Sequence, residues 1–202
     1  MIDRVSGAAG RSVSRETFGR LVAYVDLLLE ENRHQNLISP GDADDVWNRH
    51  IIDGAQLVGV AERDGTWCDI GSGPGLPGLV IAIITGAPMT LIEPRRLRAD
   101  FLRRAVSALG LDHVTVEEAK VEKVGGRYDL ITARALAPLD RLFGMAFHLA
   151  APDTRWILPK GERAKSDLDD ASRNWQGKFQ LVPSQTHGGA AIIVAEQVRR
   201  KG

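Results

Sequence analysis

Asp69-Ile70-Gly71-Ser72-Gly73-Pro74-Gly75 follows the apolar pair Trp67-Cys68 and precedes Leu76-Pro77-Gly78-Leu79-Val80-Ile81-Ala82-Ile83-Ile84. The order apolar run, acid, spaced glycines, apolar run predicts a strand, a tight turn and a buried helix. Glycine lets the backbone approach a ligand and take positive φ, and the helix that follows offers unpaired N–H groups. This is a nucleotide-cofactor loop in outline. Gly73-Pro74-Gly75-Leu76-Pro77-Gly78 also fits the dinucleotide pattern G-x-G-x-x-G, a weak signal alone. An ordinary glycine-rich turn is the plain alternative.

A second acid favours a cofactor. Met89-Thr90-Leu91-Ile92-Glu93 reads as the next strand and ends in a carboxylate 22 positions after Gly71. In nucleotide-binding α/β folds an acid about twenty residues beyond the loop accepts the ribose hydroxyls. Glu93 is the candidate ribose ligand; a solvated strand-end glutamate is the alternative.

The chain has 202 residues, enough for one substantial domain, and 44% hydrophobic content is ordinary for a globular protein. Lys+Arg and Asp+Glu are both 26, so any nucleic-acid surface must be a local patch. The single cysteine, Cys68, falls in a buried strand, which fits a reducing cytoplasm without disulfides. Neither a signal peptide nor an apolar run long enough to cross a bilayer is found, and no His, Cys or acid cluster has metal-ligand spacing.

Residues 1–12 read as frayed. Ser14 is placed as an N-cap, with Val13 stapling against Phe18, and the stripe Phe18, Leu21, Val22, Val25, Leu28, Leu29 predicts a helix. Asn36 to Gly41 breaks it, and a second helical stretch runs from Asp42 through Trp47, Ile51 and Leu57 to about Gly59. Residues 1–60 are thus expected to be a helical cap on a compact 61–202 unit. From Trp67 onward strands (67–71, 89–93, 114–118, 128–133, 154–158) alternate with helices (77–85, 95–109, 139–150, 162–174). This predicts an α/β fold with a mostly parallel sheet. Phe179–Val182 and Ala191–Val194 close the chain as two strands, one of them antiparallel, around Pro183 and Gly188-Gly189.

After the third strand, Glu122 with the Val121 backbone matches the outer edge of adenine, the acid accepting from the amino group and an amide donating to the ring. A helix-start acid reads equally well. The fourth strand delivers Arg134 at its C-terminal end, where it either clamps a cofactor carboxylate or holds a phosphate of the acceptor; an ordinary exposed arginine is the alternative. Read from Asp69, D-x-G-x-G-x-G resembles the first motif of S-adenosylmethionine-dependent methyltransferases. Amino-directed nucleic-acid methyltransferases carry an acid-or-asparagine, Pro-Pro, aromatic motif after the fourth strand, and Thr132-Ala133-Arg134-Ala135-Leu136-Ala137-Pro138 lacks it. Carbon methylation of pyrimidines usually needs a cysteine nucleophile, and Cys68 lies inside the first strand. What remains is an acceptor atom that is already nucleophilic; guanine N7 qualifies, with an in-plane lone pair and no proton to remove, so that alignment can supply most of the rate.

Asn36-Leu37, Arg49-His50-Ile51-Ile52-Asp53, Asp69 to Gly78, Phe101-Leu102-Arg103, Arg134-Ala135 and Leu158-Pro159-Lys160-Gly161 together resemble the RsmG (GidB) family. That family consists of bacterial methyltransferases acting on a guanine at N7, guanine 527 of 16S ribosomal RNA. The resemblance runs from about residue 34 to about residue 162 and implies a Rossmann-like class I S-adenosylmethionine-dependent methyltransferase fold. It also implies cofactor contacts at Gly71, Leu76, Val121, Glu122 and Arg134; Ser72, Gly73 and Glu93 complete the candidate set. Two departures stand out: Glu93 replaces the aspartate of many relatives, and the segment from Val124 to Tyr128 is short.

No catalytic group is assigned, and Arg134, Lys160 and His50 are positioning candidates. His50 and Asp53, three apart on a helix, are expected on one face, either for that role or to tie the cap to the core. Arg95, Arg96, Arg98 and Lys160 are candidate RNA contacts. Arg103, Arg104 and a tail at Arg199-Arg200-Lys201 add positive charge, though such runs are more often solvated faces. The expected partner is small-subunit ribosomal RNA, within a ribosomal particle, and the expected state is a monomer away from membranes. Two other readings remain: an NAD-dependent oxidoreductase, weakened by the lack of a separate substrate domain, and a non-catalytic cofactor-binding ribosome partner.

Overall fold

The computed structural model describes residues 1–202. Seven strands make one sheet: β1 (Trp67–Ile70), β2 (Met89–Ile92), β3 (Val114–Glu117), β4 (Tyr128–Thr132), β5 (Ala150–Lys160), β6 (Trp175–Pro183) and β7 (Ala191–Arg200), ordered β3-β2-β1-β4-β5-β7-β6. The first five are mutually parallel; β7 runs antiparallel between β5 and β6. Strand order reverses between β1 and β4, so the crevice at their C-terminal ends is where an open α/β sheet takes its ligand.

Side chains alternate across this sheet. Trp67, Leu91, Leu130 and Ile157 face one apolar core, while Cys68, Ile92, Ile131 and Trp156 face another. The first face carries α5 (Gly78–Thr85) and α6 (Arg96–Ala108); the second carries α7 (Leu139–Ala146) and α8 (Ala164–Ala171). Helix α5 is buried all round from Gly78 to Ile84, which explains its unbroken apolar sequence. The sheet covers one side of it, and α2 (Arg15–Gln35) and α4 (Asp53–Ala61) cover the other.

Two expectations for the first sixty residues need correcting. Residues 1–12 are not frayed: Ile2–Ala9 form α1, with Val5, Ala8 and Ala9 buried against α4. Its small residues let the helices touch, and a Cβ on Gly59 would come within 2.8 Å of the Ala8 carbonyl oxygen. The single helix expected from Asp42 to Gly59 is divided into α3 (Pro40–Asp44), a π-helical stretch (Trp47–Ile52) and α4. The wide π turns, which often mark functional sites, seat Trp47 on Phe18 with ring centroids 5.4 Å apart. Ser14 does cap α2, its hydroxyl accepting from the Thr17 amide.

Beyond residue 67 the expected elements form, with differences at the far edge. Strand β5 begins at Ala150, where its register with β4 shifts, so Pro152 is accommodated inside it. Arg199 and Arg200 belong to β7, paired with Gln176 and Trp175, so they form a strand end instead of a tail. Strand β6 was legible only in part because it lies at the sheet edge and most of its side chains meet solvent.

Candidate active site

The loop from β1 to α5 is held from three directions. Within the sheet, the amides of Gly71 and Ser72 both donate to the Ile92 carbonyl, and the Ser72 hydroxyl donates to the Asp69 carbonyl at 2.9 Å. From α5, the Gly78 amide donates to Asp69 Oδ2 at 3.1 Å, tying strand end to helix start. A Cβ on Gly78 would lie 2.6 Å from that oxygen, so only glycine permits this approach. From the cap, the buried Tyr24 hydroxyl donates to the Pro74 carbonyl at 2.9 Å. The sequence reading missed Tyr24, which lies inside the apolar stripe of α2 and looks like ordinary core.

Asp69 is wholly buried and its Oδ1 has no partner. Burial raises its pKa to about 7, with the Gly78 amide and nearby Arg134 only partly opposing the shift. It braces the loop and stays out of contact with solvent. Gly73 has φ near +56° and no protein atom closer than 3.8 Å to the position of an added Cβ. The nearest is Arg98 Nη1, so Arg98, read as an RNA contact, stands beside the cofactor loop. Gly71 lies under Leu136, whose Cδ1 is 2.9 Å from where a Cβ would sit.

Glu93 directly follows β2 at the loop, and both carboxylate oxygens accept backbone amides: Oε2 from Gly73 and Oε1 from Arg95, each at 2.8 Å. It is only 3% exposed. It therefore shapes the loop. Val121 is buried on a short 3-10 helix (Val121–Lys123), with Glu122 exposed beside it. Glu122 lines a surface cleft with Arg141 and Arg200 and makes no hydrogen bond to the loop. Cys68 is buried, and burial pushes its thiol well above the usual range, in keeping with its rejection as a nucleophile.

At the end of β4, Arg134 reaches into the π-helical stretch. Its Nη1 donates to His50 Nδ1 at 3.0 Å and lies 3.6 Å from Asp53 Oδ2. His50 and Asp53 do not bond each other; both converge on Arg134, because the π stretch alters the spacing a regular helix would give. Burial, and then the Arg134 charge, brings the His50 pKa down to about 4. The imidazole is neutral at pH 7. Since Nδ1 accepts from a guanidinium, Nε2 carries the proton, and it is buried without a partner.

Lys160 lines the mouth of a pocket and is also engaged within the chain. Its ammonium donates to the Ala137 carbonyl at 2.9 Å and pairs with Asp167 at 2.7 Å. Asp167 also accepts the Leu139 amide, so the pair fixes the segment after β4. Within that segment Ala135 has φ near +53° and Leu136 remains exposed beside the loop. Of the basic residues on α6, Arg103 pairs with Asp100 and Glu118, and Arg104 pairs with Glu31. Arg95 and Arg96 are exposed at the start of the helix, Arg96 lying 3.7 Å from Asp100.

The cradle fits S-adenosylmethionine: an open glycine turn, a carboxylate at the β2 end, and an arginine at β4. Strand order and loop together define a class I S-adenosylmethionine-dependent methyltransferase. Solved structures agree on the fold. A SAM-dependent methyltransferase from Aquifex aeolicus superposes with a TM-score of 0.60 at 15% identity, covering 80% of this chain and 95% of that one. M. jannaschii TYW2 in complex with AdoMet gives 0.58 at 12% identity, covering 82% and 78%. The family model "GidB: rRNA small subunit methyltransferase G" matches residues 18–191, and the chain belongs to that family. Ribosomal RNA small subunit methyltransferase G of Rhizorhabdus wittichii is 45% identical over 195 residues, covering 94% of this chain and 90% of its own length. The enzyme of that name from Zymomonas mobilis is 41% identical over 199 residues, with 94% and 90% covered.

Proposed function

We propose that the enzyme methylates guanine N7 in small-subunit ribosomal RNA, at guanine 527 of 16S RNA, with the target presented in a ribosomal particle. The observation that carries the reading is the character of the β4 end. It offers Arg134, a neutral His50 held by that arginine, and exposed Leu136 in place of an acid-or-asparagine, Pro-Pro, aromatic motif. The motif that holds an exocyclic amine for methyl transfer is absent there, and N7 has no proton to give. When bound, S-adenosylmethionine supplies a methyl group activated on a sulfonium.

The chain's part is alignment. Gly71, Ser72, Gly73 and Leu76 line the turn that would receive the cofactor, Glu93 accepts its ribose hydroxyls, and Val121 and Glu122 border its adenine. Leu136 excludes water above Gly71, and Arg134, held by His50, sets a fixed positive charge beside the acceptor. Residues 1–60 act as a cap that holds the loop through Tyr24. Arg95, Arg96 and Arg98 face the RNA or the loop mouth, and the enzyme works as a monomer in the cytoplasm. No helix is long and apolar enough to cross a membrane.

The test is methyl transfer to small-subunit particles from cells lacking this activity, with nucleoside mass spectrometry of the product. The expected product is N7-methylguanosine; a methyl group on another atom overturns the reading.

A further inference from the structure

A pocket of about 420 Å³ opens beside Arg134, outside the cofactor loop. Its walls are the π-helical stretch of the cap, the ends of β4 and β5, and the β6–β7 connection. Pro159 and Ile192 give it an apolar side; Asp42, Asp53, Arg49 and Arg134 give it a charged one. Most of this charge is already engaged. Asp42 accepts from Ser39 through one oxygen and from Arg49 through the other.

Asp53 differs. Its Oδ1 is taken by Gln56 at 2.8 Å and Thr186 at 2.7 Å, but Oδ2 has no hydrogen bond and faces Arg134 at 3.6 Å. The pocket thus presents a free carboxylate oxygen next to a guanidinium. Arg134 is itself anchored by His50, so this arrangement is held from behind.

We propose that this pocket receives the extruded target guanine, with Asp53 Oδ2 reading its Watson–Crick edge. That edge runs acceptor O6, donor N1–H, donor N2–H. Arg134 donates to O6 while Oδ2, the one oxygen left free, accepts from N1–H and the neighbouring 2-amino group together. Adenine places a lone pair at N1 and is repelled by the same oxygen. N7 lies on another edge of the purine, so a base held this way keeps its N7 lone pair free for methyl transfer. Gln56 and Thr186 orient the carboxylate, and they come from α4 and the β6–β7 connection. The cap and the C-terminal hairpin therefore meet at the base-reading residue. The proposal rests on the guanine N7 reading and adds to it the residue that selects the base.

The Asp53→Asn variant tests it. An asparagine can keep its oxygen on Gln56 and Thr186, and then turns an N–H₂ toward the N1–H of guanine. With undermethylated particles, kcat/KM is expected to fall about tenfold or more, the size of a lost charged base contact. Calorimetric affinity for S-adenosylmethionine is expected to stay within about twofold. A variant within threefold of the parent, or one that loses cofactor affinity in step with activity, overturns the assignment. The unaltered enzyme offers a second measurement should the variant fail to fold. GMP is expected to compete with the particle at least about fivefold better than AMP, and equal inhibition overturns the proposal. A wild-type product other than N7-methylguanosine would instead strike the function reading, so the two failures are distinct.

Discussion

With one carboxylate oxygen on the Gly78 amide and the other unpartnered, Asp69 holds its proton up to about pH 7. An unfolded aspartate titrates near 3.9, so between about pH 4 and 7 the folded chain binds a proton that the unfolded chain has lost. This group therefore favours the fold at low pH, and its contribution is lost as pH rises through that window. Asp69→Asn keeps an acceptor for Gly78 without the charge. Urea unfolding at pH 5 and pH 8 is expected to show the parent losing stability relative to this variant, by an amount on the order of a few kcal/mol. Parallel behaviour at the two pH values would contradict the burial argument. Tyr24→Phe makes a companion test. It leaves the Pro74 carbonyl buried without its donor, at a cost of about 1–3 kcal/mol. Weaker cofactor binding is expected with it, since the loop loses its tie to the cap. Thermal unfolding and calorimetry together check both effects.

Among the elements, the glycine turn is the most constrained and was the most legible. Its signals are local: an acid, spaced glycines and an apolar helix within sixteen residues of one another (69–84). Gly73→Val is expected to abolish cofactor binding, because a β-branched residue at φ near +56° is strained even where no protein atom crowds it. Full activity in a folded Gly73→Val chain would refute the loop assignment. Glu93→Ala removes the acceptor for two amides and, on the proposed reading, for the ribose. Cofactor affinity is expected to fall by about 1.5–3 kcal/mol or more, measured by calorimetry. Other features were hidden for physical reasons. Tyr24 meets Pro74 across fifty residues and Arg134 meets His50 across eighty-four, separations that no local pattern records. The π-helical stretch escapes a 3.6-residue reading because its apolar residues still recur at helical spacing. Helix α1 is short and rich in small residues, and only its packing on α4 makes it a helix. The pairing of Lys160 was hidden because its partner Asp167 lies in the next helix.

For the whole molecule, charge sets the terms of recognition. Acids and bases balance, and several arginines of α6 are already paired within the chain, so a long phosphate track is not available. Binding to naked RNA is expected to be weak and to fall steeply with salt, while shape supplies the selectivity. Base chemistry needs the target out of its stack, and a folded particle can hold it there in a fixed shape that a short oligonucleotide lacks. The pocket shared by the cap, β4, β5 and the C-terminal hairpin would then close on a base already turned outward. The most direct test compares undermethylated small-subunit particles with a free oligonucleotide of the same sequence. Methyl transfer is followed to each, and the site is mapped by strand cleavage after reduction and aniline treatment. The account predicts cleavage at a single guanine, formed much faster in the particle; a methyl group that resists this chemistry, or equal rates on both substrates, would contradict it.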